Sequence, residues 1–239
     1  AYGVTVDLES ASTVTVTING QTHTLNSIEH LIGTDQVDTL TGDLNLNRIQ
    51  GMGGNDEIYG QDGADFLYGG AAELNSTSSG NDIIDGKAGD DQIYGGDGDD
   101  DLKGGAGKDT LNITVETNPA APAAYTMATA TIKNIETITI KGADNVLANV
   151  AGSNITGLET ISVLKSVNAE VHANSTTDVN VSGATGTIEV SGGKNVVVND
   201  STGDKEITIG KASVIGAPTD VTETNAAGTI TVTDTKQGT

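Results

Sequence analysis

One large apolar residue recurs every nine positions through the first half of the chain: Leu40, Ile49, Ile58 and Leu67, then Ile84, Ile93, Leu102 and Leu111. Each sits two residues after an aspartate or asparagine, and most are flanked by polar neighbours. A single inward side chain per short segment, followed by a polar turn, predicts three-residue strands separated by six-residue turns. If two such units make one coil of 18 residues, odd copies stack into one sheet and even copies into another. Successive turns on one side would then lie about 4.8 Å apart, the ordinary strand spacing.

The units begin at Gly33, Gly42, Gly51, Gly60, Gly69, Gly86, Gly95 and Gly104. The clearest read Gly95-Gly-Asp-Gly-Asp-Asp-Asp-Leu-Lys103 and Gly104-Gly-Ala-Gly-Lys-Asp-Thr-Leu-Asn112. The fifth runs to Asp85 rather than ending after nine residues, so residues 71–79 are expected to be a surface loop inserted into one turn.

Two other stretches flank residues 33–112. Residues 1–32 alternate apolar and polar (Val4, Val6, Leu8; Val14, Val16, Ile18), which predicts half-buried strands leading into the repeats. Residues 113–239 lose the glycine-aspartate turns and keep short strands. Two segments there match at an offset of 23, the one from Ile132 to Ile140 and the one from Ile155 to Val163. Further strands are expected around Val179, Ile188, Val196, Ile207 and Ile230, with residues 118–122 as a boundary loop. The fold class expected is all-β: a right-handed parallel β-roll or β-solenoid over 33–112. It would continue into a β-helix-like region over 113–239, a sandwich being the alternative. No segment carries a helical period.

Charge decides what the turns hold. The chain has 33 acidic and 11 basic residues, a formal net charge of −22, which leaves nothing to neutralise phosphates and excludes a nucleic-acid partner. Residues 33–112 carry 17 acids and 4 bases, a net −13, so six divalent ions would leave about −1. Cysteine is absent, so no disulfide constrains the fold, and no apolar run is long enough to span a membrane. Strand-like sequence at both ends reads as part of a longer protein.

The aspartate closing each turn supplies one carboxylate, at Asp38, Asp56, Asp65, Asp82, Asp91, Asp100 and Asp109, with Asn47 in the second copy. Tight glycine turns bring backbone carbonyls to the same place. A set of carboxylate and carbonyl oxygens suits calcium, which takes 6–8 oxygen ligands, whereas transition metals prefer imidazole or thiolate. Stacking would pair Asp38 with Asp56, Asp56 with Asp82 and Asp82 with Asp100. The other side would pair Asn47 with Asp65, Asp65 with Asp91 and Asp91 with Asp109. Up to about six calcium ions are expected. The first copy departs from the pattern with Thr34 and Gln36 at glycine positions, and Asn47 brings no charge.

These units resemble the RTX nonapeptide repeats of proteins that Gram-negative bacteria export by type I secretion, and the run from Ser27 to Gly33 resembles the lead-in before such repeats. The resemblance implies that one turn gives carbonyls from its first and third positions plus the aspartate, and that the facing turn gives its second and fourth. Here that implies backbone ligands from Gly51, Gly54, Gly60, Gly63, Gly86, Gly89, Gly95, Gly98, Gly104 and Gly107. Residues 113–239, with Ile-Glu-Thr-Ile recurring, are similar in composition to parts of calcium-dependent surface-layer proteins and large RTX adhesins.

Catalytic chemistry is not expected. His23, His30 and His172 are scattered, and neither H-E-x-x-H nor G-x-S-x-G occurs. Tyr68 and Tyr94 hold equivalent outward positions and are expected to stack, with Tyr59 on the opposite sheet. The expected function is a calcium-binding structural module of an exported bacterial cell-surface protein. It would fold on calcium and associate with itself in a surface lattice or with the rest of its own chain. The alternative is a noncatalytic RTX module of a secreted enzyme, toxin or adhesin.

Overall fold

The computed structural model describes residues 2–8, 14–18, 21–25, 28–70, 80–96, 100–114, 124–126, 131–142, 145–150, 155–200, 206–209, 212–215 and 230–234. The expected loops at 71–79 and 118–122 lie outside them, as does Gly98. Every regular element among the described residues is a strand. The chain forms two compact units, residues 1–112 with 129–136, and residues 113–128 with 137–239.

In the first unit the copies alternate between two parallel sheets. The odd copies give Thr39–Thr41, Glu57–Asp62, Ile83–Ala88 and Asp101–Ala106, paired in that order. Thr5–Asp7 adds on one side with Val6 opposite Leu40, and Thr131–Lys133 on the other with Ile132 opposite Leu102. The even copies pair Arg48–Gln50, Phe66–Tyr68, Gln92–Tyr94 and Thr110–Thr114, and His30–Ile32, which precedes the first copy, adds beside Arg48–Gln50. All eight apolar residues of the nine-residue period stack inside, none more than 3% exposed. Each coil therefore adds two buried side chains to a narrow core, which accounts for a roll built with one phenylalanine and no tryptophan.

Coil length does not set the register. Equivalent residues lie 18 apart in most coils and 26 apart where the long fifth copy intervenes, yet Ile58 still faces Ile84 and Leu67 faces Ile93. Three of the four odd strands run to six residues, longer than expected, because pairing continues through the next turn: Gln61 faces Lys87, and Gly105 faces Lys87 from the other side.

Five of the turns have a positive φ at their second position. Gly96 and Gly105 take it at 100° and 118°, but Met52, Gln61 and Lys87 are held at 83°, 78° and 76°. A side chain in that region costs about 1–2 kcal/mol. Met52→Gly is therefore expected to stabilise the folded protein by about 1 kcal/mol in chemical denaturation, a gain that an unstrained site would not give.

Residues 1–32 are only partly in the roll. Thr5–Asp7 joins it and Leu8 is buried, but Val14–Ile18 and Gln21–Leu25 pair antiparallel with each other as a separate two-stranded sheet.

The second unit is parallel as well, which makes it a solenoid rather than a sandwich. One set of strands is Thr137–Lys141, Thr160–Leu164, Asp178–Ser182, Val196–Asp200 and Ile230–Asp234. The other is Ala124–Thr126, Asn145–Asn149, Asn168–Ala173, Ile188–Gly192 and Glu206–Ile209, closed by antiparallel Ala212–Ile215. The repeat seen at an offset of 23 is a true register, with Ile138 opposite Ile161 and Ile140 opposite Val163. Several strands here bury two side chains, such as Val179 with Val181 and Val196 with Val198. Amide side chains bridge neighbouring coils at the corners: Asn168 Nδ2 donates to Asn145 Oδ1 at 2.7 Å, and Asn195 Nδ2 to Asp178 Oδ1 at 2.8 Å. An amide carries its own donor, so such a ladder needs no counter-ion.

Candidate metal centre

Each turn of the first unit ends on an acid or amide two residues before an inward apolar side chain. Strand alternation points both to the same side, so the polar group is carried into the corner of the coil. Asp38, Asn47, Asp56, Asp65, Asp82, Asp91, Asp100 and Asp109 are all buried, the most open of them only 6% exposed.

One carboxylate oxygen of each aspartate is held by the coil before it. The backbone N–H of Asp38 donates to Asp56 Oδ1, Asp56 to Asp82, and Asp82 to Asp100, at 2.8 to 2.9 Å. On the other side Asn47 donates to Asp65, Asp65 to Asp91 and Asp91 to Asp109, over the same distances. The two columns that result follow the pairing expected from an 18-residue coil. Val4 N–H donates to Asp38 Oδ1 at 2.6 Å, and Asp109 N–H to Glu136 Oε2 at 2.8 Å.

In four of them the other oxygen is left over. Oδ2 of Asp56, Asp65, Asp91 and Asp109 is buried with no hydrogen-bond partner. What it faces is another oxygen. A Cβ built on Gly60 would lie 2.5 Å from Asp65 Oδ2 and 2.8 Å from the carbonyl oxygen of Gly86, one coil further on. The same point beside Gly51 lies against Asp56 Oδ2 and 2.6 Å from Gly69 O, and beside Gly86 it lies against Asp91 Oδ2 and Gly104 O. Glycine leaves a space of about one atom there, walled by a carboxylate and a carbonyl, with no N–H aimed into it.

Such a space opposes a bare anion. Burial, the largest cause, pushes the carboxyl of Asp65 up to about 7 and those of Asp56, Asp82, Asp91 and Asp109 up to about 6. The backbone N–H bond to each pulls the other way, and neighbouring carboxylates in the stack add to the rise. A proton or a cation has to satisfy the orphaned oxygen, and the donor set fits a hard divalent cation. No three His, Cys, Asp or Glu side chains converge among the described residues. The donors are thus single carboxylates combined with carbonyls, unlike a zinc-type cluster.

The first-position carbonyls of Gly51, Gly60, Gly86, Gly95 and Gly104 all face a carboxylate or amide oxygen of the preceding coil. Gly69 does the same for Asp56 and was missed, because the length of its copy obscured its place; it is still the first residue of the unit. The carbonyls of Gly54 on the odd side and of Gly63 and Gly89 on the even side each pack against the glycine one coil on (Gly80, Gly89 and Gly107). Asn47 keeps the shape without the charge, accepting the Asp43 N–H at 2.6 Å. Asn134 and Glu136 were missed as well, although Glu136-Thr-Ile138 repeats the acid-x-apolar spacing of Asp109-Thr-Leu111.

The tyrosines are where the period puts them. Tyr68 and Tyr94 stack with centroids 4.5 Å apart and planes at 11°, and Arg48 lies 4.7 Å over Tyr68. Tyr59, on the other sheet, has Lys87 at 5.3 Å. His30 is exposed. His172 joins Glu170 and Ser191 in a hydrogen-bonded row on the second unit, as alternate residues of one strand and a cross-strand neighbour.

The first unit is thus a parallel β-roll whose turns present paired oxygen donors to a cation. Residues 41–72 and 76–111 match the family model of the RTX calcium-binding nonapeptide repeat (4 copies), so the chain carries RTX repeats and contains a calcium-binding module. No curated protein matches the chain.

Proposed function

We propose that this chain is the calcium-dependent structural module of an exported bacterial cell-surface protein, built into a surface-layer-like lattice and without catalytic activity. The observation that carries it is the row of buried carboxylate oxygens with no donor, each facing a carbonyl one coil away. Six pairs of a side-chain oxygen and a carbonyl lie between repeats: Asp38 with Gly51, Asp56 with Gly69, Asp82 with Gly95, Asn47 with Gly60, Asp65 with Gly86, and Asp91 with Gly104; at Asp56, Asp65 and Asp91 the oxygen has no hydrogen-bond partner. We assign up to six calcium ions to them. When bound, calcium supplies two positive charges and a demand for 6–8 oxygens, which neutralises the column and ties consecutive coils together. Extracellular-type affinity would keep the repeats unfolded at cytosolic calcium, which suits passage through a secretion channel.

The Ser191–His172–Glu170 row lies on an outward strand face, where cross-strand polar contacts of this kind are ordinary surface pairing. It gives no reason to assign chemistry. Electron microscopy of the purified chain in millimolar calcium tests the lattice, with ordered sheets or filaments expected and their loss on chelation. A calcium-loaded monomer at high concentration would overturn the lattice and leave the noncatalytic module of a secreted enzyme, toxin or adhesin.

A further inference from the structure

We propose that one more calcium site lies beyond the nonapeptide repeats, between the last repeat and the turn at residues 133–136, with Asp109, Asn134 and Glu136 as its oxygen donors. It rests on the reading of the repeat cradles and adds a site that the repeat motif does not contain.

Within the even column every aspartate uses Oδ1 to accept an N–H from the coil before and turns Oδ2 toward a carbonyl of the coil after. Asp109 is the last aspartate of that column, so by the repeat alone its Oδ2 would face nothing. The structure gives it a facing turn. A Cβ built on Gly104 would meet Asp109 Oδ2 and the carbonyl oxygen of Asn134, the same pair of groups that Asp91 Oδ2 and Gly104 O present beside Gly86. Asp109 is 0% exposed, and its Oδ2 is buried without a partner.

Glu136 takes the place of the next aspartate. Its Oε2 accepts the Asp109 N–H at 2.8 Å, the contact that Asp109 Oδ1 makes with Asp91 N–H at 2.9 Å. The turn that presents it is shorter than a repeat turn, and the longer glutamate side chain makes up the reach. Asn134 sits at φ 49°, a left-handed conformation that asparagine enters more readily than most side chains. The site brings two carboxylates and a carbonyl together with no nitrogen or sulfur donor, a set that suits calcium over zinc or copper.

The additional site would fasten residues 131–136 to the end of the repeats by an ion as well as by the strand pairing of Leu102 with Ile132.

Crystals of the full chain grown in calcium test this directly, supported by calcium counting by mass spectrometry on desalted wild type and Glu136→Gln. Ion density between Asp109 Oδ2 and Asn134 O is expected, with one calcium fewer per chain in the variant and the other sites still filled. Density in the repeat cradles but none at Asp109 would overturn this site and leave the repeat reading standing. Density in neither would overturn both. If Glu136→Gln fails to fold, the wild-type density alone decides.

Discussion

In chelator at neutral pH the first unit is expected to lose most of its β signal in far-UV circular dichroism, and to regain it in millimolar calcium. Two carboxylates at strand spacing repel by about 3 kcal/mol at an effective dielectric of 20. The odd side stacks four of them in a row, at Asp38, Asp56, Asp82 and Asp100. A domain's whole stability is only about 5–15 kcal/mol, so a few such contacts decide the outcome, and calcium binding becomes folding free energy.

Acid should act in opposite directions on the two states. The buried carboxyls titrate at about 6 to 7 in the fold, against 3.8 ordinarily, so the folded chain holds protons more tightly than the unfolded one. Their contribution to the calcium-free fold is then fully present below about pH 4 and lost as pH rises through 6 to 7. With calcium present, protons compete for the same oxygens, and stability should fall as pH drops through that range. Thermal melts near pH 4.5 and 7.5, with and without calcium, check both signs. Equal melting temperatures with and without calcium at neutral pH would sink the cation-bound roll.

Gly86→Ala is the second large effect. Its methyl would enter the space between Asp91 Oδ2 and Gly104 O, both of which belong to fixed groups. Overpacking of this kind costs about 1–3 kcal/mol, and the loss of an ion adds to it in calcium. Asp91→Asn is the informative partner. It keeps an oxygen for the Asp65 N–H and replaces the orphaned oxygen with an amide nitrogen that can donate to Gly104 O. Both variants should bind one calcium fewer. Only Gly86→Ala should also destabilise the chelated protein near pH 4.5, where protonated carboxyls hold the calcium-free fold, while Asp91→Asn should leave it nearly unchanged there. If Asp91→Asn instead harms the chelated protein as much, the carboxylate is there for packing or hydrogen bonding.

Much of this was legible because the roll has a strict local code. A glycine turn, an acid and one apolar residue fix both the inward side chain and the acid's place in the corner, and an 18-residue coil then names every stacked pair from Asp38 to Asp109. What escaped lies where the code is interrupted. Glu136 comes 27 residues after Asp109, so no fixed period connects them. Gly69 opens the one copy with extra length. Residues 14–18 alternate in sequence, but alternation cannot tell a strand of the roll from a separate hairpin, although Asn19-Gly20 after them was a hairpin signal to weigh. In the second unit, Val and Thr patterning gave the strands, whereas the amide bridges at Asn145 and Asn168 depend on neighbours 23 residues apart.

Because Ile58 meets Ile84 across eight additional residues as faithfully as Leu40 meets Ile58, this architecture separates its ruler from its thread. Length can be gained or lost at one corner while the spacing of the oxygen columns stays put. Lineages that carry such a roll can therefore diversify what hangs from a corner without retuning the mineral chemistry inside.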